Sequence, residues 1–195
     1  MPIKNWKKEL LTIPNALSLF RIVLIPVYVA IYLNARDGLD YFLAAAILAV
    51  SCLTDLIDGK IARHFNMITT VGKILDPLAD KATQLTLIVC LSIKYPILIG
   101  LLVLFVIKES FQLIAGGINL RKGKMLKGAL ISGKICTTVL FVSLIFMVLL
   151  PEMPENAVII IAIIDTIFML ISFAEYLITY RCREQKFQEL DSLDK

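Results

Sequence analysis

Charge is what this chain has least of. Only 18% of its 195 residues are Asp, Glu, Lys or Arg, against about 25% in soluble domains, and the mean hydropathy is +0.83. The apolar residues, 58% of the total, gather in runs with few charges. That excludes an ordinary soluble core and leaves a chain that crosses a membrane several times. Histidine occurs once, at His64, and Cys52, Cys90, Cys136 and Cys182 stand singly with no CxxC pair. Neither a zinc site nor a disulfide framework follows from that distribution, and these cysteines read as small apolar residues. Strand alternation, internal repeats and low-complexity segments are also absent, so the inverted-repeat architecture of many transporters receives no support.

A helix that spans a bilayer needs about 20 mostly apolar residues. Six such runs are present, at Leu17–Leu33, Tyr41–Ile61, Leu75–Ile93, Tyr95–Gly117, Ala129–Leu150 and Ala157–Tyr180. The sequence thus predicts an all-α, polytopic membrane protein with six transmembrane helices. Ahead of them Ile3, Trp6, Leu10 and Leu11 fall at helical spacing with Lys4, Lys7 and Lys8 on the other side. That pattern predicts a short N-terminal interfacial helix, amphipathic over residues 1–12. Residues 13–182 then form the membrane domain, and residues 183–195 a mixed-charge cytoplasmic tail that suits a solvated helical extension. A cleaved signal peptide is not expected, because Asn34, Ala35 and Arg36 close the first run in place of a small-residue cleavage site.

The net charge is +4, and the basic residues lie beside the apolar runs, where anionic headgroups would meet them. The partner this implies is a membrane surface, with no nucleic acid. Lys4, Lys7 and Lys8; Lys60, Arg63 and Lys73; Arg121, Lys122, Lys124 and Lys127; and Arg181, Arg183 and Lys186 occupy alternate connections. The opposite connections hold Arg36 and Lys94 beside Asp37, Asp40, Glu152 and Glu155. The basic excess marks the cytoplasmic side, which puts both termini there.

Two carboxylates interrupt the end of the second run, Asp55 and Asp58, three residues apart. Two more open the third, Asp76 and Asp80, four apart. On helices each pair shares a face. An ionised Asp at the centre of a membrane helix costs about 2.5–3.5 kcal/mol on insertion scales, and like charges repel besides. One such aspartate would read as a helix cap. Four with no Cys or His in reach form an oxygen-only donor set, which suits hard divalent cations such as Mg²⁺, Mn²⁺ or Ca²⁺. Arg63, Lys73 and Lys81 are at hand to offset part of the charge. Gly59, Ala62 and Gly72 lie between the aspartates, where small residues allow close approach of a ligand or of a neighbouring helix.

The string Asp55-x2-Asp58-Gly59-x2-Ala62-Arg63-x8-Gly72-x3-Asp76-x3-Asp80 resembles the signature of the CDP-alcohol phosphotransferases at every defined position. Ile13-Pro14-Asn15-Ala16-Leu17-Ser18-Leu19-Phe20-Arg21 is similar to the opening of bacterial phosphatidylglycerophosphate synthases. The resemblance covers most of the chain, loosely beyond about Leu120. It implies transfer of a phosphatidyl group from CDP-diacylglycerol to an alcohol, with release of CMP, by a six-helix homodimer in a bacterial-type cytoplasmic membrane. It further implies two divalent cations, Mg²⁺ or Mn²⁺, held by Asp55, Asp58, Asp76 and Asp80. CDP would lie by Asp58, Gly59, Ala62, Arg63 and Gly72, and Asp80 would act as the general base. The phospholipase D-like lipid synthases, which carry paired His-x-Lys motifs, are excluded by the single His64, followed by Phe65 and Asn66.

For the acceptor, Lys108-Glu109 inside the fourth run, Arg121, and Gly133-Lys134 at the start of the fifth are the candidate binding groups. In phosphatidylglycerophosphate synthases the first motif commonly reads Arg-Glu with a second Arg eight residues on, and the second reads Gly-Lys-x-Lys-Thr. Here Lys108, Gly116 and Cys136 take the places of the two arginines and the second lysine, which thins the phosphate-binding set. The expected acceptor is glycerol 3-phosphate. The alternative is a CDP-alcohol-type cardiolipin synthase, which Lys108-Glu109-Ser110 resembles nearly as well. An ion-coupled transporter would also place carboxylates in a membrane, but it leaves Gly59, Ala62, Arg63 and Gly72 unexplained at their spacing.

Overall fold

The computed structural model describes residues 12–64, 72–121 and 131–193, which are helical apart from short turns. The helices are α1 (Ile13–Asn34), α2 (Gly38–His64), α3 (Gly72–Lys94), α4 (Leu98–Arg121), α5 (Ile131–Leu149) and α6 (Glu155–Leu193). Each of the six predicted runs falls on one of them, and no strand occurs among the described residues. The fold is all-helical and polytopic. The predicted interfacial helix falls on residues outside the described ones.

In hydrocarbon every backbone N–H and C=O must find its partner within the segment, which is why apolar runs of this length become helices. By length and apolarity α1, α4, α5 and α6 can each cross a membrane, over Asn15–Asn34, Leu98–Gly117, Ile131–Leu149 and Glu155–Arg181. The apolar part of α2 is shorter, Gly38–Thr54, and it stops where Asp55 enters. Helix α3 carries Lys73, Asp76, Asp80 and Lys81 in its first turns. These two helices thus surrender apolar length to the charged residues. Helix α6 extends beyond its predicted run and continues without a break through Leu193.

Side-chain hydroxyls are absorbed by the helices that carry them. Thr83 donates to the carbonyl of Ala79 at 2.9 Å, Ser92 to that of Ile88 at 2.6 Å, Thr137 to that of Gly133 at 2.7 Å and Thr166 to that of Ala162 at 2.7 Å. Polar atoms thereby stay off the lipid-facing surface. That surface is apolar, with Leu39, Leu113, Ile131 and Ile178 exposed.

The chain forms two compact units, Met1–Lys94 with Leu144–Met153, and Tyr95–Ser143 with Pro154–Lys195. In the first, α1 packs against both α2 and α3. Its buried face is polar at the start, with Asn15, Ser18 and Arg21, and aromatic at the end, with Tyr28 and Tyr32. Small residues of α2, Ala44, Ala45 and Ser51, and Ala79 of α3 are buried as well, which lets backbones approach closely. Tyr28 stacks on Tyr32 with ring centroids 5.6 Å apart, Tyr32 meets Tyr41 edge-on at 5.7 Å, and Lys94 Nζ sits 4.6 Å over the Tyr41 ring. In the second unit α4 packs against α6. Phe111 of α4 lies edge-on to Phe173, Tyr176 and Tyr180 of α6 at 5.6, 6.2 and 6.2 Å.

The connections are tight. Leu98 N–H donates to the Tyr95 carbonyl at 3.0 Å, which closes the Lys94-Tyr95-Pro96 turn between α3 and α4. At the start of α2 the backbone N–H groups of Tyr41 and Asp40 reach the Asp37 carbonyl at 3.5 and 3.0 Å. The Asp40 carboxylate in turn accepts from the N–H groups of Arg36 at 2.8 Å and Asp37 at 3.4 Å. This is a reciprocal cap of the kind that satisfies orphan donors at a helix N-terminus. Those N–H groups, Arg36 first, hold the Asp40 carboxyl below its usual value. A lowered carboxyl adds stability that is present above its unfolded pKa and is lost as pH falls through the folded one. Asp40→Ala should therefore lower the thermal midpoint in detergent at neutral pH, and the gap from wild type should close in acid. A pH series of melting curves measures this.

Candidate active site

The third helix supplies two carboxylates one turn apart, and the first helix supplies a donor to each. Ser18 Oγ donates to Asp76 Oδ1. Arg21 Nη1 donates to Asp80 Oδ1 at 3.1 Å as an ion pair. Both contacts advance in the same sense along the two helices, so α1 and α3 run parallel here and the polar first turns of each lie together. Arg21 is 2% exposed while the Asp80 side chain is 47% exposed. The guanidinium is thus enclosed, and the carboxylate it orients faces outward, open to a ligand. A carboxylate offers about four lone-pair positions, so the Arg21 contact orients it without exhausting it.

Pro77 stands between the two aspartates inside α3. It has no N–H to offer the carbonyl of Lys73, which loosens the first turn at the point where the acidic pair is displayed. Beside Arg21 a small crevice lies between α1, α2 and α3. Leu24, Ile25, Ile47 and Leu48 form its apolar walls, and Ser51 and Thr83 add hydroxyls.

Asp55, Asp58, Gly59, Ala62 and Arg63 lie on the last turns of α2, and their side chains fall outside the described residues. Gly72 is buried at the first position of α3. The donor set expected for two divalent cations is therefore described for Asp76 and Asp80 alone. Both present hard oxygens in the same first turns of α3, which fits Mg²⁺ or Mn²⁺.

The candidate acceptor groups Lys108 and Lys134 belong to the second unit. Lys108 is buried, and its Nζ pairs with Glu109 Oε1 at 2.8 Å. Lys134 is exposed in the first turn of α5. Arg121 ends α4, with its side chain outside the described residues. A Cβ on Gly116 would meet nothing within 4 Å, so the position eight residues after Lys108 is open space.

Sequence reasoning passed over Ser18 and Arg21 as site residues, and Asp165 altogether. Ser18 and Arg21, with Asn15, repeat at intervals of three on one face of an apolar helix, and that polar stripe was the available signal. Asp165 stands inside the span Glu155–Arg181, ten residues from Glu155 on one side and from Glu175 on the other, and was visible simply as a charge where lipid is expected.

The described residues thus form a polytopic helical bundle in which α1 orients an acidic pair on α3. The family model for CDP-alcohol phosphatidyltransferase matches residues 11–174, and the chain belongs to that family. It is 32% identical over 171 residues, 85% of this chain and 94% of the relative, to a CDP-diacylglycerol--glycerol-3-phosphate 3-phosphatidyltransferase of Aquifex aeolicus. The protein of that name from Escherichia coli is 44% identical over 69 residues, 35% of this chain and 37% of that one. A cardiolipin synthase (CMP-forming) of Streptomyces coelicolor is 34% identical over 118 residues, 59% of this chain. The match spans 54% of that relative's length.

The geometry assigns Arg21 to holding Asp80 in position. Arg21→Ala should lower kcat about tenfold to a hundredfold, part of what a positioned acid–base group contributes, with a smaller change in the KM for CDP-diacylglycerol. Arg21→Lys should recover part of the rate, since the charge returns without the guanidinium fork. CMP release from labelled lipid substrate reads both.

Proposed function

We propose that this protein transfers the phosphatidyl group of CDP-diacylglycerol to the hydroxyl of glycerol 3-phosphate, giving phosphatidylglycerophosphate and CMP. The observation that carries this reading is the match to the Aquifex relative over 94% of that relative's length, joined to the acidic pair that α1 orients on α3. In the reaction the acceptor oxygen forms a bond to the phosphatidyl phosphorus, the bond to the CMP phosphate breaks, and the hydroxyl proton passes to a carboxylate. Asp80 is that carboxylate. Arg21 fixes its direction, and Ser18 fixes Asp76.

Asp55, Asp58, Asp76 and Asp80 would hold two divalent cations, which when bound would offset the pyrophosphate charge and stabilise the departing phosphate. By the same resemblance Asp58, Gly59, Ala62, Arg63 and Gly72 border the CDP moiety. Arg121 and Lys134 would supply positive charge to the acceptor phosphate, while Lys108, the third residue expected there, is buried against Glu109. We read the protein as a homodimer in a bacterial-type cytoplasmic membrane. The basic connections, and with them both termini, face the cytoplasm.

A second reading, a CMP-forming cardiolipin synthase, is favoured by the Streptomyces relative and by the thinned phosphate set at Lys108, Gly116 and Cys136. The open space at Gly116 is compatible with a larger acceptor. An acceptor panel with purified protein separates the two. CMP release should require glycerol 3-phosphate, whereas conversion of phosphatidylglycerol to cardiolipin with no response to glycerol 3-phosphate would establish the second reading. For the metals, turnover should stop in excess EDTA and return with Mg²⁺ or Mn²⁺ without Zn²⁺; undiminished turnover in chelator would refute the assignment.

A further inference from the structure

One buried acid among the described residues takes no part in this chemistry. Asp165 is 1% exposed and lies ten residues into α6, about 15 Å along its axis. That is near the middle of a hydrocarbon core about 30 Å thick. Across from it on α5 is Ser143, whose Oγ is 2.5 Å from Asp165 Oδ2. Further along, a Cβ on Gly133 would lie 3.8 Å from Ser172 Oγ. The two contacts run in opposite senses along the chain, so α5 and α6 pair antiparallel here, with Asp165 and Ser143 as the polar contact deep in the span.

The hydrogen count at Ser143 decides the state of the acid. Its Oγ is 2.8 Å from the carbonyl of Leu140 as well as 2.5 Å from Asp165 Oδ2, yet a hydroxyl carries one hydrogen. With an ionised carboxylate only one of these two contacts is a hydrogen bond. With a protonated one both are, since Asp165 donates to Ser143 and Ser143 donates to Leu140. Asp165 Oδ1 meets no hydrogen-bond partner among the described residues, a situation a neutral carbonyl oxygen tolerates better than half of an anion. No described cation compensates the acid. Lys108 of α4 is paired with Glu109, Lys134 of α5 lies nine residues from Ser143, and Glu175 of α6 lies ten from Asp165.

We propose that Asp165 is a neutral carboxylic acid whose proton forms the pin between α5 and α6, a hydrogen-bond site in the membrane separate from the acidic pair of α3. Asp165→Asn tests it, because an amide donates to Ser143 as the acid does but carries no charge in any state. Asp165→Asn should keep CMP release within about twofold of wild type and the detergent melting midpoint within about 2 °C. Asp165→Leu and Ser143→Ala should each lower the midpoint by roughly 2–6 °C, the range for one interhelical hydrogen bond in a chain of this size. Infrared difference spectra of wild type against Asp165→Asn should show loss of a protonated carboxyl band. If Asp165→Asn melts as low as Asp165→Leu, or if no such band is lost, the acid is ionised and the proposal is overturned. The infrared and melting readouts stand whichever alcohol the enzyme accepts.

Discussion

Everything at the candidate site depends on how α1 meets the carboxylates of α3. A buried guanidinium and a hydroxyl, one turn apart on one helix, face Asp80 and Asp76, one turn apart on the other. In a medium of low dielectric an unmet carboxylate is expensive. The donors on α1 lower that cost, and they also fix the direction of the oxygens. Position and solvation are supplied by the same two contacts. A site that presents charge to a ligand across a membrane surface needs both.

The chain handles its other charged and polar groups in different ways. Lys108 and Glu109 neutralise each other side by side on α4, Asp40 accepts from backbone donors where α2 begins, and serine and threonine hydroxyls turn back on their own helices. Among the described residues Asp165 has no counter-charge at hand. Removal of one partner from a buried pair leaves the other stranded, so Lys108 and Glu109 form a unit whatever the acceptor proves to be.

Much of this architecture was legible in the sequence. Six apolar runs announced six helices, and the aspartate string announced the acidic residues on α2 and α3, because hydropathy and i, i+3 and i, i+4 spacing are local properties. The start was read less well, since α1 begins four residues before its run, at Ile13, where Pro14 suits a first helical turn; the helical extension expected after Tyr180 is present, as α6 continues through Leu193. What could not be read were the long-range partners. Ser18 and Asp76 are 58 residues apart in the chain, Arg21 and Asp80 59, and Ser143 and Asp165 22. No local pattern states which faces meet. Arg21 stood inside an apolar run and passed for part of an N-terminal motif, and its role emerged only once α1 lay against α3.

The aromatic chain Tyr28, Tyr32 and Tyr41, closed by Lys94, binds three helices at the end away from the acidic pair. It acts as a fulcrum. A helix that crosses about 30 Å of hydrocarbon and tilts by about two degrees about that end moves its far end by about 1 Å, a displacement that matters to reacting groups. The packing of three tyrosine rings at one end of these helices is thus a mechanical input to where Asp76 and Asp80 sit at the other.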